Sequence, residues 1–208
     1  MKKSLNGLKE IYENNLKVFG LNNKGVGWKN KKDAIIRYKI MSELILKSKK
    51  TQSVIDLGCG FSDLYYYLNS KKFKLKYIGL DLSEKMIMIS KSKYPQNYYY
   101  CLDILSDYRK LPKVDYMIIN GLFTQKGSYS NSKMFGFLKS VLKTSWSKTK
   151  VGLAFNVMSE YVDWKNKRNY YPSLKKITDL ISNHLGNKFI INHHYGLHEY
   201  TIFVYKKI

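Results

Sequence analysis

Apolar positions along the chain switch repeatedly between a helical period and short continuous runs. Over residues 33–47, Ala34, Ile35, Ile36, Tyr38, Ile40, Met41, Leu44 and Ile45 recur at helical spacing. A β-rich run at 53–57 follows and ends in glycines. Residues 61–69 place Leu64, Tyr67 and Leu68 on one helical face. Strands are expected at 77–80 and 97–102, and a buried strand at 114–120. Between the first two, Ser83 can cap a helix from 84 to about 92, with Pro95 marking the exit. Helix spacing returns at 134–142, a fifth strand at 151–155, and a helix over 174–184 with Ser173 placed to cap it. Residues 188–192 and 200–205 read as the last two strands, and residues 1–22 as an irregular or weakly helical lead-in.

Strands alternating with helices build βαβ units, so the expected fold is α/β with a mainly parallel, doubly wound sheet. The link between the last two strands is too short for a crossover helix, which makes that pair antiparallel. The length of 208 residues suits one structural domain. In it, residues 1–48 form a lead-in and helix packed on the core, and residues 49–208 form the main body.

The strongest chemical signal is Val54-Ile55-Asp56-Leu57-Gly58-Cys59-Gly60. A strand runs into a Gly-x-Gly turn and then a helix, which lets the backbone approach a ligand closely. The helix start favours negative charge. Asp81, at the end of the next strand, lies 21 residues past Gly60. That is the separation at which a carboxylate can hold ribose hydroxyls.

Together with Cys101-Leu102-Asp103-Ile104, these motifs resemble the class I S-adenosylmethionine-dependent methyltransferases, over roughly residues 25–206. The resemblance implies a seven-stranded sheet with an antiparallel last strand. It places Asp56, Gly58 and Gly60 beside the methionine part of the cofactor and Asp81 on the ribose. Asp103 would meet the adenine amino group, with Ile104, Leu82 and Met86 against the ring. Trp28, Arg37 and Asn120 complete the implied cofactor site. Ser62 stands where many relatives carry a third glycine. The missing glycine also argues against a dinucleotide fold, which brings its backbone close to a pyrophosphate.

The stretch after the fourth strand, Ile119-Asn120-Gly121-Leu122-Phe123, faces the acceptor in such enzymes, and Phe123 is an expected substrate contact. It has no prolines, unlike the run found in enzymes that methylate DNA amines. A Pro-Cys nucleophile is also missing. The C-terminal half resembles a bacterial group of small-molecule methyltransferases, through Phe155-Asn156-Val157-Met158-Ser159, Tyr161-Val162-Asp163, Tyr170-Tyr171-Pro172 and His198-Glu199-Tyr200-Thr201. Asn156, Tyr161 and Tyr171 are the expected acceptor-binding residues, with Asp163 and His194 as expected catalytic groups. A histidine at a strand end can take a proton from an acceptor. Glu199 is expected to pair with Arg37 or a histidine.

Charge adds a competing reading. The formal net charge is +22, which points toward nucleic acid. Yet only Arg37, Arg109 and Arg168 are arginines, and the lysines are dispersed along the chain. Bidentate readout of phosphates and bases favours arginine. The reading is therefore methyl transfer to oxygen or nitrogen of a small polar acceptor. An RNA methyltransferase is the alternative, and a non-catalytic cofactor-binding subunit a further one. Neither a zinc nor a disulfide pattern is expected from Cys59 and Cys101. The absence of a long apolar run makes a membrane span unexpected and the cytoplasm the default location.

Overall fold

The structure is a computed structural model and describes residues 2–46 and 48–206. Seven strands form one sheet in the order β3-β2-β1-β4-β5-β7-β6. They are β1 (Gln52–Leu57), β2 (Leu75–Asp81), β3 (Tyr98–Cys101), β4 (Val114–Ile119), β5 (Thr149–Met158), β6 (Phe189–Asn192) and β7 (Glu199–Tyr205). The pairings β1–β2, β1–β4, β2–β3 and β4–β5 are parallel. β7 runs antiparallel to both β5 and β6. The expected mainly parallel sheet with an antiparallel last strand is what forms.

Alternation along the central strands divides the core between two faces. Ile55 and Leu57 of β1 and Met117 and Ile119 of β4 join one cluster with Leu138 and Val141 of α6 (Asn131–Lys148) and Ile177 of α7 (Leu174–His184). Val54, Tyr116 and Ile118 join the other, with Tyr38 and Met41 of α2 (Lys31–Ser42) and Leu64 and Leu68 of α3 (Asp63–Ser70). β1 and β4 are neighbours, but β1 continues to β2 on its other side. The strand order therefore reverses between β1 and β4, and their carboxyl ends open a crevice there.

Several boundaries differ from the pattern-based expectation. The lead-in is instead the helix α1 (Lys2–Phe19). Its polar residues hid a stripe at i, i+3, i+4 spacing, Leu8, Ile11 and Tyr12, and Leu8 is buried in the sheet's core. α6 begins three residues earlier than its apolar pattern because the Ser130 side chain accepts from the backbone N–H of Lys133. β5 extends to Met158 because β7 pairs with it along its whole outer length. α4 (Glu84–Lys93) starts as expected, with Ser83 accepting from Met86. Ser173 sits at the start of α7 but makes no side-chain cap bond. Asp103 opens a short helix that the apolar pattern does not show, α5 (Ile104–Asp107). The helix expected to reach residue 47 ends at Ser42, and residue 47 lies outside the described residues. No helix among the described residues is long and apolar enough to cross a membrane.

Candidate active site

A cavity opens at the carboxyl ends of β1, β2 and β4. Its floor is the turn after β1. Gly58 and Gly60 both take left-handed backbone conformations, φ 81° and 53°. The backbone N–H groups of Gly58 and Cys59 donate to Leu80 O at 2.7 and 3.1 Å, which ties this turn to the end of β2. A Cβ at Gly58 would meet open space, whereas one at Gly60 would press on Val26 at 2.9 Å. The floor is thus open at the first glycine and roofed at the second.

Ser62 also adopts a left-handed conformation, φ 59° and ψ 33°, at the start of α3. It is fully buried and donates to Ser90 Oγ at 3.0 Å, and Ser90 in turn donates to Gly60 O at 2.7 Å. The serine that replaces the third glycine is thereby accommodated through a partner on α4. Its strain is offset by a hydrogen bond that glycine could not make.

Three carboxylates line the cavity, Asp56, Asp63 and Asp81, and the first and last stand at the strand ends. Asp56 is buried and accepts from Tyr77 Oη at 2.6 Å. Burial pushes its pKa up to about 7, opposed by the Tyr77 hydrogen bond and reinforced by Asp81 and Asp63. Asp81 accepts from Gly60 N at 3.0 Å and from Ser83 N at 2.9 Å. Burial raises its pKa too, against the pull of those backbone donors. Leu82, Met86 and Ile104 provide an apolar wall at this end. Asn120 faces the same space, and its Oδ1 is buried with no partner. A buried acceptor of that kind is satisfied by a ligand donor.

The roof is α1 with the loop that follows it. Leu8, Lys9, Tyr12, Val26 and Trp28 all bear on the cavity. Tyr12 Oη donates to Gly121 O at 3.2 Å, beyond β4. Ser83 Oγ, beyond β2, donates to Glu13 at 2.7 Å. Adjacent residues of one helix therefore bridge the ends of two strands on either side of β1. Burial raises the Tyr12 phenol to about 12, so it remains a neutral donor. The sequence reading missed Leu8, Tyr12 and Val26. The amphipathic spacing within α1 was the available signal, and the many polar residues around it obscured it.

Of the expected cofactor residues, Trp28, Asp56, Gly58, Gly60, Asp81, Leu82, Met86, Ile104 and Asn120 converge on this one cavity. Asp103 and Arg37 are not part of its lining. Asp103 spends a carboxylate oxygen on Leu105 N at 2.8 Å, capping α5. Arg37 stacks over Trp28, 4.4 Å from the ring centroid, and pairs with Glu199.

The expected acceptor side is not gathered there. Phe123 and Asn156 are fully buried and absent from the cavity wall. Phe123 packs edge-on against Phe137 and Phe155. Tyr161 and Asp163 point to solvent in the loop after β5, and Tyr171 Oη accepts from Asn166 N. His194 is exposed beyond β6. β6 is the outermost strand, four strand positions from β1, or roughly 19 Å at the usual spacing. The expectation treated parallel direction as nearness. His193 and His194 do follow the carboxyl end of a strand, but on the wrong side of β5 and β7 to reach the crevice. No histidine lines the cavity among the described residues.

A family model described as a methyltransferase domain matches residues 48–175, more than half of the chain. The chain belongs to this methyltransferase domain family. A candidate methyltransferase of Mycobacterium tuberculosis, Rv1506c, is 27% identical over 156 residues, covering 74% of this chain and 93% of the relative. Among solved structures, magnesium protoporphyrin IX methyltransferase of Synechocystis with bound SAH superposes with a TM-score of 0.63 at 13% identity. That match covers 87% of this chain and 90% of the other. A methyltransferase of Clostridium acetobutylicum described as S-adenosylmethionine-dependent gives a TM-score of 0.58 at 14% identity, over 98% and 99% of the two chains. Human N-acetylserotonin methyltransferase gives 0.59 at 14% identity, over 93% and 62%. At these identities the structures share the fold. The family model's match ends at residue 175, in the first turn of α7 and before β6 and β7, and begins after α1 and α2. The roof of the methyltransferase cavity therefore lies outside the matched region.

Proposed function

We propose that this methyltransferase binds S-adenosylmethionine in the cavity between the glycine turn and α1, and moves its methyl group to an oxygen or nitrogen of a small acceptor. One observation carries the reading. The glycine turn, the strand-end carboxylates Asp56 and Asp81, the apolar wall of Leu82, Met86 and Ile104, and the unpartnered Asn120 Oδ1 share a single cavity. The groups fit such a cofactor. The open space at Gly58 admits a ligand against backbone, and Asp81 keeps free acceptor capacity for hydroxyls beyond its two backbone donors. Asp56 offers a carboxylate to positive charge, and Asn120 an acceptor to a ligand N–H. When bound, the cofactor supplies a methyl group already activated on a sulfonium.

The remaining work is alignment and exclusion of water, which proximity and orientation reward strongly. Leu8, Tyr12, Val26 and Trp28 close the cavity from above, so the acceptor wall is assigned to α1 and its following loop. This roof favours a small molecule over a polymer, and an acceptor with apolar or aromatic surface beside its reacting atom. Calorimetry with S-adenosylmethionine and its demethylated product tests the cofactor assignment, with micromolar-scale affinity expected, about −8 kcal/mol. Absence of heat and of any thermal shift with both ligands would remove it. Transfer of labelled methyl groups to a panel of small hydroxyl and amine acceptors, with RNA alongside, tests the acceptor class. Transfer to RNA alone would replace the small-molecule reading.

A further inference from the structure

Glu199 is the first residue of β7 and is only 1% exposed, yet it is not part of the cavity wall. Two elements meet on its carboxylate. Asn156 Nδ2, on β5, donates to Oε1 at 3.1 Å. From α2, Arg37 Nη2 donates to Oε2 at 3.1 Å, and Arg37 Nε lies 2.9 Å from Oε1, outside hydrogen-bond direction. Each partner then reaches the turn beyond β4. Asn156 Oδ1 accepts from Gly121 N at 2.7 Å. Arg37 covers one face of Trp28, and the rim of Trp28 occupies the space beside Gly121, where a Cβ would lie 2.5 Å from the ring. Gly121 has φ 88°, a left-handed conformation that glycine takes without the steric cost a Cβ would bring.

We propose that Glu199 is a positioning residue for the Asn120–Gly121 turn: through Asn156 on one side and Arg37–Trp28 on the other, it keeps Asn120 Oδ1 turned into the cavity. The physical need is specific. An amide side chain can face either way, and Asn156 must present oxygen to Gly121 N and nitrogen elsewhere. A carboxylate at 3.1 Å from its nitrogen enforces that orientation, because the reversed amide would set oxygen against oxygen. With the Gly121 N–H satisfied by Asn156 and the Gly121 carbonyl by Thr124 and Tyr12, neither polar group of Gly121 is left to recruit Asn120. The acceptor of Asn120 is left for a ligand. The link from this turn to cofactor affinity rests on the function proposed above.

The test reverses the polarity of one hydrogen bond. Asn156→Asp keeps the acceptor for Gly121 but sets a carboxylate against Glu199. Glu199→Gln keeps one acceptor oxygen, which serves Asn156 or Arg37 but not both, and removes the charge opposite Arg37. The double variant pairs Asp at 156 with the amide of Gln at 199 and preserves the net charge. Glu199→Ala strands the Arg37 guanidinium and risks the fold, so it is not used. Two readouts are taken on the full chain: the hydrogen-exchange protection factor of the Gly121 amide without ligand, and the dissociation constant of S-adenosylhomocysteine. Asn156→Asp is expected to lower protection and affinity at least tenfold, and Glu199→Gln to lower both by a smaller factor, about threefold to tenfold. The double variant, in which Gln donates to Asp at 156 and accepts from Arg37, is expected to recover to within about threefold of the parent. Unchanged Gly121 protection in Asn156→Asp overturns the proposal, as does a double variant that stays as impaired as the single one. Protection that responds while affinity does not overturns the link to the cavity. If the parent protein fails to bind S-adenosylhomocysteine while Gly121 protection still follows the polarity swap, the cofactor reading falls and the positioning of the turn stands.

Discussion

Tyr77 Oη donates a 2.6 Å hydrogen bond to Oδ2 of Asp56; both side chains are buried, and Asp56 lines the cavity. The donor stabilises the carboxylate, but burial outweighs it and lifts the pKa from 3.8 to about 7. The folded protein therefore holds a proton that the unfolded chain releases between those values. The stability tied to Asp56 is in full below about pH 4 and is lost as pH rises to about 7. The ligand-free protein should show this loss in urea unfolding between about pH 4 and about pH 7, and Asp56→Asn should flatten that part of the profile. Tyr77→Phe should shift the loss to higher pH. A cationic ligand reverses the preference, so affinity for S-adenosylmethionine should rise across the same interval, by up to about tenfold per pH unit.

Asp81 has two duties, and its substitution should show both. Asp81→Ala leaves the N–H groups of Gly60 and Ser83 without their acceptor, costing about 1–3 kcal/mol of stability. Lost charge-assisted bonds to ligand hydroxyls should weaken cofactor binding further, by tenfold or more. The comparison is made by calorimetry on protein shown to be folded at the assay temperature. His194→Ala, which alters an exposed residue on the far side of the sheet, serves as the control and should leave affinity within twofold.

Ser62 permits a clean separation of strain from hydrogen bonding. Ser62→Ala keeps a side chain at φ 59° and removes the bond to Ser90, and should cost about 1–2 kcal/mol. Ser62→Gly loses the same bond but gains backbone relief of about 1 kcal/mol. It should sit within about 1 kcal/mol of the parent protein. Denaturant midpoints of the three proteins, at constant slope, give the answer.

The docking of α1 depends on Leu8, 4% exposed among residues of the sheet's core. Leu8→Ala should destabilise the protein by about 2–4 kcal/mol. Because the same helix roofs the cavity, the product S-adenosylhomocysteine should also dissociate faster, which stopped-flow displacement measures directly. A stability loss with an unchanged dissociation rate would place the roof's contribution elsewhere, on Val26 and Trp28.

Much of this architecture was legible in local patterns. Strands such as 114–119 are apolar at every position but Asp115 because both faces are covered, and Ser83 starts α4 because its oxygen meets Met86 N. The turn at Gly58 and Gly60 and the spacing to Asp81 are near-neighbour features of a single βαβ unit, so the cofactor side could be read from one stretch of chain. α1 was only faintly legible, because its stripe of Leu8, Ile11 and Tyr12 is set among polar residues and its docking is made with Gly121 and Ser83, more than 60 residues away.

What the sequence determined by itself is what short-range chemistry controls: strand and helix alternation, the glycine turn, the carboxylates that follow it, and the antiparallel final pair. What only the tertiary structure decided is lateral position in the sheet and the pairing of buried polar groups. Strand direction can be inferred from connection length, but the distance of His194 from Gly58 depends on how many strands lie between them. Glu199 could pair with arginine or histidine by sequence alone. Burial decided the matter: a carboxylate 1% exposed must meet charge or donors where it lies, and the fold brings Arg37 and Asn156, 162 and 43 residues away, to that point.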